Sequence, residues 1–364
     1  MIIGIANIIG CKNSSGTSNP PVATSDPVIS GINVVGQTFS CTDGTWTGSL
    51  PITFTYQWKR NELDILGATS STYVLVQADA SNTITCVVTA TNIVGSASAT
   101  SGNSFVILDA DAYAFLNAST ITDTTITLAI NVLCVNLKSN NLWTKMYAIY
   151  PFVGSTASTH KWNLKNPADT DAAYRLVFNG GFTHSSTGLL GNGVNSYADT
   201  KFPMNGLPQN DSHLSVYCRT NTTANIIDYG VQFTSVSYSS FITCKLSNNF
   251  NSRLNTSGFS DGLTSNTDSK GHYLSYRNNS ANITTRKNLN TANTFAQTST
   301  TAGVNTLPIY LGNLNFNGTP LGGYYSNREY AFATIGTALT AGESTTFYNI
   351  IQTFQTTLSR QVWF

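Results

Sequence analysis

The chain has 364 residues, a net charge of +1, and only 10% charged side chains against 41% hydrophobic and 11% aromatic ones. A chain this apolar and aromatic buries a core and is not a disordered polymer. Its near-neutral charge excludes a nucleic-acid binder, which needs clustered Lys and Arg, and no run of about 20 apolar residues is present to cross a bilayer. Ser, Thr and Asn supply roughly a third of the residues, a composition suited to short strands joined by polar turns.

In chain order, residues 1–26 predict an apolar N-terminal anchor and a flexible linker. Residues 2–10 are apolar, and 12–26 read KNSSGTSNPPVATSD, with almost no core-forming content. Ile8-Ile9-Gly10-Cys11 looks like a lipoprotein cleavage box, but no Lys or Arg precedes it as a signal peptide requires. The favoured expectation is a segment that packs on a partner subunit, with Met1 retained.

Residues 27–108 alternate with the period of strands. Phe54, Tyr56 and Trp58 share one strand face, as do Ile84, Cys86 and Val88, and turn clusters such as TDGTWTGSLP and LGATSST separate the runs. About seven short strands with Cys41, Trp58 and Cys86 in that order predict an immunoglobulin-like sandwich, with those three residues in a structural role in its core.

Residues 109–150 change to helical spacing. Ile126, Ala129, Ile130, Leu133 and Leu137 make one stripe, Asp123 or Thr124 is the expected N-cap, and Trp143, Met146, Tyr147 and Tyr150 are expected to form a short second helical segment. This predicts a helical neck, either packed on the next domain or carrying chain–chain contacts.

Residues 151–364 return to strand character, in HLSVYCRT, NIIDYGVQF, FITCKLSN, HYLSYRN and PIYLGNL. Near the end a helix is predicted, with a Thr340–Glu343 capping box and a stripe of Phe347, Ile350, Ile351, Phe354 and Leu358. Arg360 falls where the helix dipole favours a cation.

Two resemblances sharpen this reading. The segment with VVGQT, GTWTG, YQWKRN, GATSSTY and NTITC resembles the bacterial and phage immunoglobulin-like repeat, placing Cys41 and Cys86 at its two inter-sheet cysteines and Trp58 at its core tryptophan. Ile84 departs from that family, standing where a tyrosine corner would put Tyr. Residues 109–364, through WTKMYAIYPFVGSTASTHKWNLKNPADTDAAYRLVFNGG and YYSNREYAFATIGTALTAGESTTFYNIIQTFQTTLSRQV, resemble a module recurrent in tailed phages of Bacteroidetes-type hosts. That module is similar to the concanavalin A-like, laminin-G-like jelly roll. The fold expectation is therefore mainly β: an immunoglobulin-like sandwich, a short helical neck, and a concanavalin A-like jelly roll over 151–364 with a C-terminal helix.

The same jelly roll hosts glycosidases that use paired Glu. Here the three Glu are Glu62, Glu329 and Glu343, none between residues 63 and 328, so that mechanism is excluded. Asp169 and Asp171 are the one close acidic pair of the domain, read as a turn ahead of a calcium site or catalytic pair. Neither HxH, HExxH nor GxSxG occurs, no CxxC is present, and no cofactor is expected. Tyr238, Tyr273, Tyr276, Tyr324 and Tyr325 stand in polar settings of the kind that grip sugars.

The resemblance implies a structural protein on the surface of a phage virion, a fibre or capsid decoration rather than an enzyme. It would join other virion proteins through residues 1–10, assemble as a homotrimer, and bind host-surface glycans, with no nucleic acid and no membrane insertion. The alternative is a secreted or surface glycan-binding protein of a bacterium.

Overall fold

A computed structural model describes residues 18–224, 226–233, 238–257 and 261–362. It is mainly β and divides into two compact units, residues 1–107 and 108–364. The proposed anchor at 1–10 and Cys11 lie outside the described residues.

The first unit is an immunoglobulin-like sandwich. One sheet orders Ile29–Ser30, Thr38–Cys41 and Thr72–Val74; the facing sheet is built on Thr83–Thr91 and Thr53–Arg60, flanked by Leu63–Asp64, Ser96–Thr100 and Phe105–Val106. Alternation places Trp58, Ile84, Cys86 and Val88 inward against Ile29, Phe39 and Cys41, all buried. Trp58 is fully enclosed, its indole N–H donating to the Ser70 carbonyl at 2.9 Å. The Cys41 and Cys86 thiols are free and lie together in this core. Where a tyrosine corner is missing, a buried carboxylate ties the turn: Asp79 accepts from Arg60 Nε, Tyr73 OH and Val76 N at 2.7–2.9 Å. One expectation is corrected here. Val22–Ser25, placed in the linker, is a strand paired with Thr45–Thr47; its Pro-Pro start suits an edge, and the polar composition hid the pairing.

The second unit is a two-sheet sandwich covered on one side by helices. An eight-stranded antiparallel sheet runs Thr183–Ser185, Gly188–Leu190, Glu329–Gly336, Ser212–Cys218, Gly271–Arg277, Asn282–Lys287 and Asn293–Ala296, with Met146–Tyr150 also on Glu329–Gly336. A nine-stranded sheet runs Val177–Asn179, Tyr197–Pro203, Pro308–Leu311, Tyr229–Phe233, Tyr238–Leu246, Asn249–Thr256 and Gly262–Ser265, with Leu314–Phe316 and Thr319–Pro320 branching from it. The core between them includes Leu214, Val216, Cys218, Tyr229, Ile242, Cys244, Tyr273 and Tyr330.

Four helices are described: α1 (Ala110–Ser119), α2 (Thr124–Ser139), the single turn α3 (Ala157–His160) and α4 (Ala341–Thr357). The stretch expected as a neck is helical, with Asp123 capping α2 at Ile126 N (2.8 Å), and belongs to this second unit. Its stripe of Ala129, Ile130, Leu133 and Leu137 packs with Phe347, Ile350, Ile351 and Phe354 of α4 against Tyr217, Leu274, Tyr276 and Phe332 on the outer face of the eight-stranded sheet. The expected second helical segment is a correction: residues 143–145 make one 3-10 turn, and Met146–Tyr150 is a strand because pairing to Glu329–Gly336 outweighs local helical spacing. The α4 capping box is present, Thr340 accepting from Glu343 N. Arg360 follows the C-terminal end of α4, where the sequence places a cation. It is fully buried, giving its guanidinium to the Pro151, Phe152 and Ala331 carbonyls and to Gln355.

Candidate functional site

The two outer faces of the second unit differ. Helices cover that of the eight-stranded sheet; among the described residues no helix packs on that of the nine-stranded sheet. What this face presents follows from alternation. In Tyr197–Pro203, Ala198 and Phe202 point into the core, so Tyr197 and Asp199 point out. In Pro308–Leu311, Ile309 and Leu311 point in and Tyr310 out, and the register sets Tyr310 opposite Asp199. The Tyr197 and Tyr310 rings pack 4.6 Å apart, tilted at 32° to one another.

A bulge shapes the polar side of this patch. The register shifts between Asp199 and Pro203, where Lys201 takes a left-handed φ of 59° and its N–H bonds Asp199 Oδ1 at 2.8 Å. Lys201 Nζ returns to Asp199 Oδ2 at 3.0 Å. Burial, with the Asp199 carboxylate beside it, pushes the Tyr310 phenol up to about 12; Tyr197 is raised by burial, by Asp199 and by Tyr325. These hydroxyls therefore stay protonated at neutral pH and can donate. Tyr310 and Asp199 are themselves buried, so what reaches solvent is the half-buried Tyr197 ring and the half-buried Lys201 ammonium, with the Asp199 carboxylate beneath them.

Asp169 and Asp171 lie next to this patch through Lys201. They sit in a bend and in the 3-10 turn Asp171–Ala173, and not on a shared strand face. Each carboxylate is taken by cations: Asp169 by Lys161 at 2.6 Å and Arg175 at 3.3 Å, Asp171 by Arg175 at 3.1 Å and more distantly by Lys201. The Lys161 ammonium holds Asp169 below its ordinary range, the opposite of what a general acid needs. A metal ion would have to displace these cations, and among the described residues no three His, Cys, Asp or Glu converge to hold one.

The remaining acids are engaged as well. Glu329 binds Arg219 at 2.6 Å and the Thr187 hydroxyl; Glu343 binds Lys145 at 2.7 Å and caps α4. Of the tyrosines singled out in polar settings, Tyr238, Tyr273 and Tyr276 are buried in packing, whereas Tyr324 is exposed and Tyr325 half-buried. Tyr197 and Tyr310 escaped the sequence reading. The signal was the alternation in YADTKF and PIYL, but only the pairing of two strands a hundred residues apart brings their rings together.

No family model and no curated protein matches the chain. Among solved structures it is similar to a Trypanosoma rangeli sialidase mutant displaying trans-sialidase activity, at 8% identity and TM-score 0.40, over 90% of this chain and 53% of that one. It is also similar to the NanB sialidase of Streptococcus pneumoniae, at 13% identity and TM-score 0.30, over 47% of this chain and 27% of that one. Domain 4 of AbnA, an extracellular arabinanase of Geobacillus stearothermophilus solved with arabinotriose, aligns at 16% identity and TM-score 0.28, over 55% of this chain and 97% of that one. The chain thus spans about a quarter to a half of the two sialidase chains.

Proposed function

We propose that this protein is a glycan-binding adhesin displayed on a particle surface, with the part of the nine-stranded sheet's helix-free face around Tyr197 and Lys201 as its binding site. The observation that carries this reading is the tilted Tyr197–Tyr310 pair set beside Asp199 and Lys201 on the helix-free side of a rigid sandwich, with Tyr197 and Lys201 half-buried and within reach of solvent. A sugar ring lays its C–H face on an aromatic ring, while its hydroxyls donate to a neighbouring carboxylate and accept from a neighbouring ammonium group. The sheet holds these groups in place before the ligand arrives, which lowers the entropic cost of binding.

Binding is favoured over catalysis because each Glu of the second unit, and each acid of the Asp169–Asp171–Asp199 group, is already paired with a cation. The display setting rests on the resemblance to phage surface modules, with residues 1–10 as the anchor to other virion proteins and a homotrimer as the assembly. A small, half-buried patch of this kind binds weakly, in the range of roughly millimolar per site, and many copies on one particle compensate by avidity.

The test is a glycan array probed with the full chain, both as free protein and displayed on beads. Binding should appear in the multivalent format, depend mildly on salt given the net charge of +1, and be lost in Tyr197→Ala. No binding in either format, or binding that Tyr197→Ala leaves intact, would refute this face as the site.

A further inference from the structure

The second unit holds a pair of cysteines that its fold, and no sequence motif, brings together. Cys218 ends the Ser212–Cys218 strand of the eight-stranded sheet; Cys244 lies within Tyr238–Leu246 of the nine-stranded sheet. Both point into the core between the sheets and both are fully buried, and burial together with the neighbouring Cys218 thiol raises the Cys244 thiol above its ordinary value. The surroundings hold them in place. The Cys244 N–H donates to Asp228 Oδ2 at 2.7 Å, and the same carboxylate oxygen takes the buried Arg328 guanidinium at 2.5 Å. The Cys218 thiol also reaches the Thr220 carbonyl at 3.3 Å. Cys134, by contrast, is a single buried thiol on α2.

We propose that Cys218 and Cys244 are a cross-linking site that closes to an inter-sheet disulfide when the chain folds under oxidising conditions. The reaction balances with a low-molecular-weight disulfide as oxidant. Two thiols and one glutathione disulfide give one protein disulfide and two glutathione thiols, the two protons and two electrons passing to glutathione. The bond would join two strands from opposite sheets at the centre of the core and close the loop of residues 219–243. Because both sulfurs are buried, closure belongs to folding, when an oxidant can still reach them. This inference is independent of the glycan reading: it concerns the inside of the sandwich, not its helix-free face.

The test is refolding of the full chain from denaturant with and without oxidised glutathione, followed by alkylation and peptide mass mapping. The expected result is a Cys218–Cys244 linked peptide in the oxidised sample, mapped separately from any Cys41–Cys86 link, and both thiols alkylated in the reduced sample. The oxidised protein should also unfold roughly 5–15 °C higher in its second-unit transition, a gain absent from Cys244→Ala and Cys218→Ala. The proposal fails if both cysteines are fully alkylated in a natively folded, oxidised sample, or if either is found joined to another cysteine. The mapping uses the unaltered chain, so it decides the matter even if the alanine variants do not fold.

Discussion

Acidification from pH 7 to pH 5 should destabilise the second unit through three buried histidines. His213 and His272 lie between the eight-stranded sheet and α4, their rings 6.0 and 5.6 Å from that of Phe347. His213 is satisfied as a neutral ring, Nδ1 on the Thr337 carbonyl at 2.6 Å and Nε2 on the Thr334 hydroxyl at 3.0 Å. His160 sits against Phe152 and shares an Nδ1–Nδ1 hydrogen bond of 3.1 Å with His184, possible only if one ring donates and the other accepts. Burial pushes His160 and His272 down to about 3 and His213 to about 4, with the cations Lys145, Arg286 and Arg360 adding to the effect. The unfolded chain titrates these groups near pH 6.5, so between there and pH 4 it binds protons that the folded chain refuses. Stability is full above the unfolded value and falls as pH drops below it. At pH 5 each histidine costs about 2 kcal/mol, and the three together about 6 kcal/mol. Paired carboxylates with depressed values, such as Glu343, lose their stabilisation only at lower pH, so this window belongs to histidine. Urea unfolding of the full chain at half-unit steps from pH 7.5 to 5 measures the slope, which should approach three protons taken up on unfolding from these rings, with a further part of a proton from His184, also lowered by burial. His272→Phe, which replaces a ring whose Nε2 has no partner, should reduce that uptake by one. A second-unit stability that stays flat from pH 7 to 5 would refute the reasoning.

Other outcomes follow from the same packing. Arg328→Met leaves the fully buried Asp228 carboxylate without its cation and should cost about 3–5 kcal/mol, while Arg328→Met combined with Asp228→Asn recovers part of that loss; chemical denaturation of the four proteins of the cycle measures the coupling. Trp58→Ala should lower the stability of the first unit by about 3–5 kcal/mol, read from its unfolding transition by calorimetry. Thr340→Ala removes the α4 cap and should cost about 1 kcal/mol, measured as a thermal shift. Tyr197→Ala should abolish multivalent glycan binding while leaving the far-UV circular dichroism spectrum unchanged.

Much of this was legible in the amino-acid order because it is local. Period-two alternation around Trp58 and Cys86 identifies a sandwich core before any coordinates exist, since a strand with one buried face has little choice of pattern. The caps at Asp123 and Thr340 were equally readable, because a helix end needs an acceptor for its free N–H groups within three residues. Other features depend on strands and helices meeting at long range. The 146–150 segment became a strand only because the Glu329–Gly336 strand offered it partners. Arg360 is a buried clamp because three carbonyls from two distant segments converge on it. Tyr197 with Tyr310, and Cys218 with Cys244, likewise exist as pairs only through sheet pairing and sheet packing, which place residues from distant parts of the chain side by side. Composition and periodicity state which face of an element is apolar. Which two faces meet, and therefore which polar groups, thiols and rings become neighbours, is decided by the assembled core.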